Sequence, residues 1–382
     1  MEIKNLKKAA KRILSAIKKK ERIILYSDAD LDGTASLIIL EETIKNLGGE
    51  VAARYFPDRE LEGYGLTKEA LDTLGKLAPA LLILTDCGIG NFKEIELANQ
   101  KGFEVIVIDH HEILNHLPPA SIIIDPKQKG DRYPFKFLPA CSLVFKLAEI
   151  LLGKKMSDSL RQSFLELVSL ATIADMMPQE RDNKIFIEKG LQTLPFTFRP
   201  GLLVFFREFP LGSFSLNEII QKIIANLQIT ETKNHLTESY LLLTAQKEQE
   251  ALQLLKTLRE KSESRQGLIK ALTEEIIEKV EKDPSPIVFL GGTDFPLSLT
   301  GTIASRVCKK LKKPTFIYNT RGKLSRGSVR TPQEINSVKA LANCHSLLEV
   351  YGGHPQASGF TCKNENLEEL KRCLIRYFKN QN

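Results

Sequence analysis

Short apolar runs alternate with helical patterns over the first 111 residues, and this alternation constrains the fold more than any other feature. In chain order the runs are RIILYS, VAARYF, ALLILTD and EVIVIDHH, separated by the helical stretches TASLIILEETIKNL, TKEALDTLGKL and NFKEIELANQKG. Strands that alternate with helices form parallel sheets buried on both faces, so each strand reads as a continuous apolar run. The pattern predicts an α/β fold with a parallel sheet, whose ligands bind beyond the carboxyl ends of the strands.

The length of 382 residues favours two domains, because single hydrophobic cores stop growing beyond about 250–300 residues. Helical patterns dominate residues 140–245, and the α/β pattern returns after the segment DPSP. We predict an N-terminal parallel-sheet domain over 1–230, a helical linker over 231–283 and a smaller C-terminal α/β domain over 284–382. Residues 248–283 are charged and free of proline, which is typical either of one long helix or of two helices in a bundle.

The composition, with 42% apolar and 26% charged residues, is that of a soluble globular protein. No apolar run approaches the ~18 residues that cross a bilayer, and the basic N-terminus lacks the apolar core of a secretory signal. We therefore expect a cytoplasmic protein without a membrane partner. The six cysteines are scattered, which favours buried hydrophobic roles over a zinc ribbon or a disulfide scaffold. The net charge of +7 favours a polyanionic partner only weakly.

Carboxylate and imidazole side chains collect at the carboxyl ends of three predicted strands. They are Asp28, Asp30 and Asp32 after RIILY, Asp86 after ALLIL, and Asp109, His110 and His111 after EVIVI. Crowded anions raise one another's pKa values unless cations are present, so this set predicts a pair of divalent ions. Mixed oxygen and nitrogen ligands suit manganese better than calcium. Asp175, in ATIADMMP, fits as a further ligand.

The plainer interpretation is that aspartates follow strands because they favour turns, and that Asp175 caps a helix. This accounts for one strand end but not for three in succession. The sequence therefore favours a metal site.

Several motifs resemble those of the DHH phosphoesterase superfamily, and within it the RecJ-like exonucleases. The matching stretches are SDADLDG, LTDCG, IDHH and ATIADMMP in the first predicted domain, and YGGHPQASGF in the second. Three further stretches, PDRELEGYGL, GTIASR and GSVRTPQEINSVKAL, are similar to RecJ-like sequences in particular. The resemblance spans most of the chain and implies a DHH catalytic, metal-binding domain joined by a long helix to a DHH-associated, substrate-binding domain.

The resemblance also implies roles for individual residues. The metal ligands would be Asp30, Asp32, Asp86, His110 and Asp175, with Asp86 bridging two divalent ions. Asp28 would support the site, Asp109 would orient a ligand and His111 would contact the phosphate. The substrate-binding residues would be Arg306, Ser328, Arg330, Gly352, Gly353 and His354. The implied reaction is hydrolysis of a phosphodiester bond, with manganese favoured and magnesium or cobalt as alternatives.

The sequence departs from the family at three places. Tyr26 stands four residues before Asp30, where some members carry a histidine, so we expect one ion to be held more weakly or with help from Asp28. The stretch IIANLQITETK is changed, and the chain ends at Asn382 without the OB-fold with which bacterial RecJ proteins usually grip single strands. We therefore expect a weaker grip on long DNA.

The leading hypothesis is a hydrolase, a RecJ-like exonuclease that degrades single-stranded DNA to mononucleotides, with 5′-to-3′ polarity by resemblance and a role in DNA repair or recombination. One alternative is a small-substrate phosphodiesterase that acts on short oligonucleotides or cyclic dinucleotides. A catalytically inactive replication or repair scaffold is a further alternative, although a scaffold needs no uncompensated carboxylates. The expected partners are single-stranded nucleic acid, DNA first, and repair or replication proteins. The oligomeric state is left open.

Overall fold

The computed structural model describes residues 2–113 and 116–379. The chain divides into two compact units, Met1–Ser262 and Glu263–Asn382. The boundaries expected from the sequence, 1–230, 231–283 and 284–382, stay a prediction. Among the described residues, no helix is both long enough and apolar enough to span a bilayer.

The first unit alternates strands and helices and then becomes mainly helical. Its strands are β1 (Ile23–Ser27), β2 (Val51–Tyr55), β3 (Ala80–Thr85), β4 (Phe103–Ile108), β5 (Ile122–Ile124), β6 (Thr232–Lys233) and β7 (Leu236–Thr237). Its helices are α1 (Leu6–Lys19), α2 (Leu31–Asn46), α3 (Lys68–Leu74), α4 (Phe92–Gln100), α5 (Ala140–Leu152), α6 (Asp158–Ala174), α7 (Arg181–Thr193), α8 (Pro200–Glu208), α9 (Leu216–Leu227) and α10 (Glu238–Thr244). One long helix, α11 (Glu248–Val280), begins in the first unit and ends in the second. Of the two interpretations of this stretch, one long helix is confirmed.

The main sheet of the first unit has the strand order β2-β1-β3-β4-β5, and all its strands are parallel. The predicted parallel sheet is therefore confirmed. Successive side chains of β1 enter opposite cores: Ile23 and Leu25 pack with α1, α2, α5 and α6, whereas Ile24 and Tyr26 pack with α3 and α4. Burial on both faces is why the strands read as unbroken apolar runs. In this strand order the connections reverse direction between β1 and β3, which is where such sheets bind ligands.

The second unit is built on a mixed sheet with the order β11-β12-β10-β9-β8. Its strands are β8 (Val288–Gly292), β9 (Thr315–Arg321), β10 (Leu324–Arg330), β11 (Val350–His354) and β12 (Ala357–Lys363), and its helices are α12 (Leu297–Leu311), α13 (Ser337–Asn343) and α14 (Leu367–Lys379). Strands β8 and β9 are parallel, and the other pairs are antiparallel. Ile317 packs with α12 on one face, and Phe316 packs with α13 and α14 on the other.

One disulfide links Cys344, at the end of α13, to Cys373 in α14. The sequence did not indicate this pair, because packing between the two helices, and not a short spacing, brings the cysteines together. The remaining cysteines, Cys87, Cys141, Cys308 and Cys362, are buried as expected.

Close packing of α6 against α7 depends on Gly190, because a Cβ there would lie 2.1 Å from the backbone oxygen of Leu165. We expect Gly190→Ala to lower the free energy of unfolding by about 2–3 kcal/mol, since helix backbones would have to move apart. Gly267→Ala is the matched control, because that helical glycine has open space around it and alanine favours helix by up to about 1 kcal/mol. Urea unfolding followed by circular dichroism measures both variants, and equal midpoints would contradict the expectation.

Candidate metal centre

Three neighbouring strands deliver carboxylates to one edge of the parallel sheet. Asp28 follows β1, Asp86 follows β3 and Asp109 follows β4. Their exposures are 1%, 2% and 1%. The first two flank the point where the strand connections reverse, so the sequence motifs meet where the topology favours a ligand.

The start of α2 explains the spacing of SDADLDG. Asp30 is the N-cap, and its Oδ1 accepts hydrogen bonds from the backbone nitrogens of Asp32 at 3.0 Å and Gly33 at 3.1 Å. A Cβ on Gly33 would lie 2.2 Å from the backbone oxygen of Asp28, so a side chain there would force the strand end and the helix start apart. The loop therefore places all three of its carboxylates at the same rim.

The buried carboxylate of Asp32 is held by the first turn of α5. Its two oxygens accept hydrogen bonds from the backbone nitrogens of Ala140 and Cys141, each at 2.8 Å. Burial raises the pKa of Asp32 to about 6, although these hydrogen bonds from Cys141 and Ala140 oppose the shift. A helix N-terminus is a favourable place for such an anion.

Asp86 adopts a left-handed backbone conformation, with φ 60°, which residues other than glycine rarely adopt. Its backbone nitrogen donates to Ile108 at 2.9 Å, and its backbone oxygen accepts from the hydroxyl of Tyr64 at 2.9 Å. Burial, followed by the charges of Asp32 and Asp30, raises the pKa of Asp86 well above its usual range. A strained backbone that presents a destabilised carboxylate is typical of a functional position.

The His110 imidazole lies among three carboxylates. Its Nε2 is 3.2 Å from Asp86 Oδ1, 3.6 Å from Asp175 Oδ2 and 3.7 Å from Asp32 Oδ2. Asp175 is the C-cap of α6. The structure thus brings Asp175 to the site although it lies more than 60 residues after His110 in the sequence.

Several groups of ligand atoms could each hold an ion, and two of them together contain the five expected metal ligands. Within each group the atoms lie within 4.8 Å of one another, and these two groups are Asp32, His110 and Asp175, and Asp28, Asp30 and Asp86. Asp86 belongs to the second group and is the carboxylate nearest to His110 of the first. Oxygen and nitrogen donors arranged in this way fit two adjacent divalent cations, with manganese among the suitable metals.

Asp109 orients His111 beside these groups. Asp109 Oδ1 is 2.7 Å from His111 Nδ1, and its Oδ2 accepts from the backbone nitrogen of Ile89 at 2.9 Å. Burial alone would raise the pKa of Asp109, but the charge and hydrogen bond of His111 lower it below its usual range. The same pairing raises the pKa of His111 against the effect of burial.

Two contributors to the rim, Arg59 and Tyr64, received no role from the sequence. The Arg59 guanidinium forms ion pairs with Asp28, with Nε to Oδ1 at 3.0 Å, and with Asp30 at 3.0 Å. The Tyr64 hydroxyl lies 3.2 Å from His111 Nδ1. Both residues belong to PDRELEGYGL, and only the family-like character of that stretch could have singled them out.

Tyr26 does not present its hydroxyl as a metal ligand. The ring is buried and stacks on Tyr55 with centroids 5.3 Å apart, and the hydroxyl donates to the backbone oxygen of Gly65 at 2.6 Å. Tyr26 therefore anchors the segment that carries Arg59 and Tyr64.

In the second unit, most predicted substrate-binding residues lie on one face of the sheet. The register aligns Gly352 with Gly359 and Ser328 in one row across β11, β12 and β10. Two residues farther along the strands, it aligns His354 with Ala357 and Arg330. Paired residues of antiparallel strands share a face, so Ser328, Arg330 and His354 surround a stretch without side chains. The intervening row contains Gly353, whose φ of 128° lets it approach β12 closely.

Helix α12 packs beside this face and contains Arg306. A Cβ on Gly301 would lie 3.1 Å from Arg330 Nη2 and 3.5 Å from Ser328 Oγ, so the glycine makes room for both side chains. Arg306 is exposed and lies about 140° around the helix axis from Gly301. The structure does not bring Arg306 to Ser328 and Arg330, and its substrate role stays a prediction.

Comparisons with known proteins agree with this geometry. A model of the DHH family N-terminal domain matches residues 22–172, and a model of the DHHA1 domain matches residues 285–380. The chain thus contains a DHH-family N-terminal domain followed by a DHHA1 domain. Among its relatives, the single-stranded-DNA-specific exonuclease RecJ of Bacillus subtilis is 32% identical over 380 residues, which are 98% of this chain and 48% of the relative. RecJ of Thermus thermophilus is 28% identical over 94% of this chain and 52% of the relative.

The chain spans about half the length of these curated relatives. A crystal structure of exonuclease RecJ bound to manganese is similar to it, with a TM-score of 0.79 and 26% identity, covering 99% of this chain and 95% of that one. A structure of RecJ with Mn²⁺ from Thermus thermophilus has a TM-score of 0.81 at 24% identity, covers 100% of this chain and 55% of that one, and shows the shared fold.

The raised pKa of Asp32 predicts how metal binding depends on pH. Its folded-state pKa of about 6 exceeds the ordinary 3.8, so its stabilising contribution is present below pH ~4 and is lost as pH rises through 6. Divalent ions bind the deprotonated carboxylate and reverse this loss. We expect the rise in Tm caused by Mn²⁺ to be larger at about pH 7.5 than at about pH 5, and to be lost in Asp86→Asn. A pH-independent rise, measured by calorimetry, would contradict the metal assignment.

Proposed function

We propose that this chain is a metal-dependent phosphodiesterase, and specifically a RecJ-like exonuclease that hydrolyses single-stranded DNA to mononucleotides. The observation that carries the proposal is a pair of ligand groups at the reversal point of a DHH-family sheet, in which Asp86 of one group lies 3.2 Å from His110 of the other. The names of the relatives, single-stranded-DNA-specific exonucleases, support the substrate class. We extend the resemblance to 5′-to-3′ polarity, a cytoplasmic location, a role in DNA repair or recombination, and repair or replication proteins as partners.

Asp30, Asp32, Asp86, His110 and Asp175 are the proposed ligands of two divalent ions. Manganese is the first choice, because a similar RecJ structure contains it, and magnesium or cobalt are alternatives. When bound, such ions neutralise phosphoryl charge and lower the pKa of a water nucleophile.

The other residues at the rim hold the arrangement in place. The amides at the start of α5 fix the Asp32 oxygens, and the Tyr64 hydroxyl fixes the backbone of Asp86. Asp109 holds the His111 ring through Nδ1, and we assign to His111 a hydrogen bond to a phosphate oxygen. Asp28 pairs with Arg59, which keeps the loop between β1 and α2 in position.

In the second unit, the glycine-lined face is the proposed contact for the phosphodiester backbone. Ser328, Arg330 and His354 offer donors around Gly352 and Gly359, where backbone can be approached closely. Gly353 and Arg306 retain their predicted substrate roles as part of this proposal.

Removal of the Asp86 carboxylate tests the catalytic proposal. We expect Asp86→Asn to lower manganese-dependent hydrolysis of a 5′-labelled single strand of about twenty nucleotides by at least about 100-fold, because even residues that only support metal ligands cost 10–100-fold. Asp72→Asn is the matched control, since that exposed carboxylate pairs with Lys101 at the amino-terminal edge of the sheet.

The same assay includes a dinucleotide and a blunt duplex. Stepwise loss of mononucleotides from the long strand, with the duplex spared, supports the exonuclease. Cleavage of the dinucleotide alone would instead make the chain a small-substrate phosphodiesterase, and full activity of Asp86→Asn would overturn the metal-ligand assignment.

Replacement of Arg330 tests whether the second unit binds the substrate. We expect Arg330→Ala to weaken strand binding and to reduce the slope of log affinity against log salt concentration by about 0.7, the value for one lost phosphate contact on a single strand. Arg321→Ala is the control, because Arg321 pairs with Leu324 at the other end of the β9–β10 hairpin, about 20 Å away. A change in turnover with an unchanged salt slope would exclude the phosphate contact.

A further inference from the structure

Two large apolar side chains lie exposed on the segments that border one ligand group of the metal centre. Phe137 is 48% exposed and Met176 is 67% exposed. Phe137 stands three residues before Ala140, whose backbone nitrogen donates to Asp32 at 2.8 Å. Met176 directly follows Asp175. Both side chains are therefore tied by short stretches of chain to proposed metal ligands.

A buried asparagine clamps the two segments together. The Asn183 amide nitrogen donates to the backbone oxygen of Phe137 at 2.8 Å and to that of Pro178 at 3.0 Å, and Asn183 is fully buried. The Phe137 ring also packs edge-on against Phe135, which is 3% exposed, with centroids 5.9 Å apart. One ring contact and one backbone hydrogen bond thus hold the exposed Phe137 ring in place.

The backbone conformation of Met176 is unusual for a residue with a large side chain. Met176 has φ 55° and follows the C-cap of α6, a position that glycine fills best because other residues pay about 1–2 kcal/mol for the left-handed conformation. A methionine there gains no burial, since most of its surface is exposed. Neither packing nor backbone preference accounts for it, which points to a contact with a ligand.

We propose that Phe137 and Met176 form a stacking platform for an unpaired nucleobase of the nucleotide next to the scissile phosphate. The inference rests on the proposed function and deepens it. An aromatic face and a polarisable thioether both suit the flat π-face of a base and tolerate any sequence. A base on this surface would belong to the same molecule as the phosphate held at the proposed metal ligands.

The platform also bears on the preference for single strands. A base inside a duplex is already stacked on its neighbours and paired, so it must be unstacked, at a few kcal/mol, before it can reach a protein ring. An unpaired base reaches the platform without that cost. Selection against duplex therefore arises at the metal centre itself.

The chain contains no tryptophan, which permits a direct measurement of stacking. In Phe137→Trp, the introduced indole should be quenched when a phosphorothioate oligothymidylate of about eight nucleotides is added with Mn²⁺. An abasic oligomer of the same length, with the same phosphates, should leave the emission unchanged.

Phe196→Trp is the matched control. Phe196 is 85% exposed, but its neighbour Thr197 donates to Glu166 at 2.7 Å, about 13 Å back along α6 from Asp175. Its emission should not respond to either oligomer.

Affinities complete the test. We expect Phe137→Ser to weaken oligothymidylate binding about 5- to 100-fold, Phe137→Tyr to restore it, and neither to change binding of the abasic oligomer. Equal affinity of the parent protein for the two oligomers, or an indole that does not respond while oligothymidylate binds, would overturn the platform. A change of emission with protein concentration alone would place a second copy of the chain there and also overturn it.

Hydrolysis of an ordinary strand is measured in parallel. Quenching without hydrolysis would reject the proposed function and keep the platform. Hydrolysis of normal and abasic-ended strands at equal rates would reject the platform and keep the function.

Discussion

Repulsion among buried carboxylates is the constraint around which the first unit is arranged. Asp32, Asp86 and Asp109 lie at a rim from which water is largely excluded, and Asp32 and Asp109 each accept hydrogen bonds from a different element. The first turn of α5 donates hydrogen bonds to Asp32, and the backbone amide of Ile89 donates to Asp109. Arg59 pairs with Asp28 in the loop after β1. Asp86 is the exception, because its carboxylate faces His110 and the other acids. The centre is therefore organised but electrostatically incomplete, which is the condition that divalent cations relieve.

The parallel sheet and the cluster of candidate ligands at its edge were predictable, because both depend on short local stretches of sequence. Each strand is an apolar run and each ligand follows it directly, so an edge shared by parallel strands brings together residues distant in the chain. Asp175 was harder, since a helix end carries no comparable signal, and it became a candidate only when grouped with the other carboxylates. Arg59 and Tyr64 could not be placed by periodicity, because hydrogen bonds between residues distant in the sequence, such as that between Tyr26 and Gly65, hold their loop at the rim.

In the second unit, prediction from the sequence meets a different limit. Alternation along β10 is sufficient to place Ser328 and Arg330 on one face, but their alignment with Gly352 and His354 depends on the order β11-β12-β10, which no single strand encodes. Arg306 illustrates the converse case. Its motif resembles the family, yet helix geometry turns it away from the other candidates. Likewise, the disulfide between Cys344 and Cys373 follows from helix packing.

The cap at the start of α2 has a consequence for how such chains diverge. Asp30 starts the helix with one oxygen and faces the rim with the other, and Gly33 is required for the approach of that helix to β1. A descendant that lost catalysis would still be selected to retain both residues for folding. The Asp86 carboxylate caps no helix, so drift could remove it at little structural cost. Among relatives of this chain, an intact SDADLDG segment thus indicates common descent. The residue at the position of Asp86, after β3, is the better indicator of retained catalytic activity.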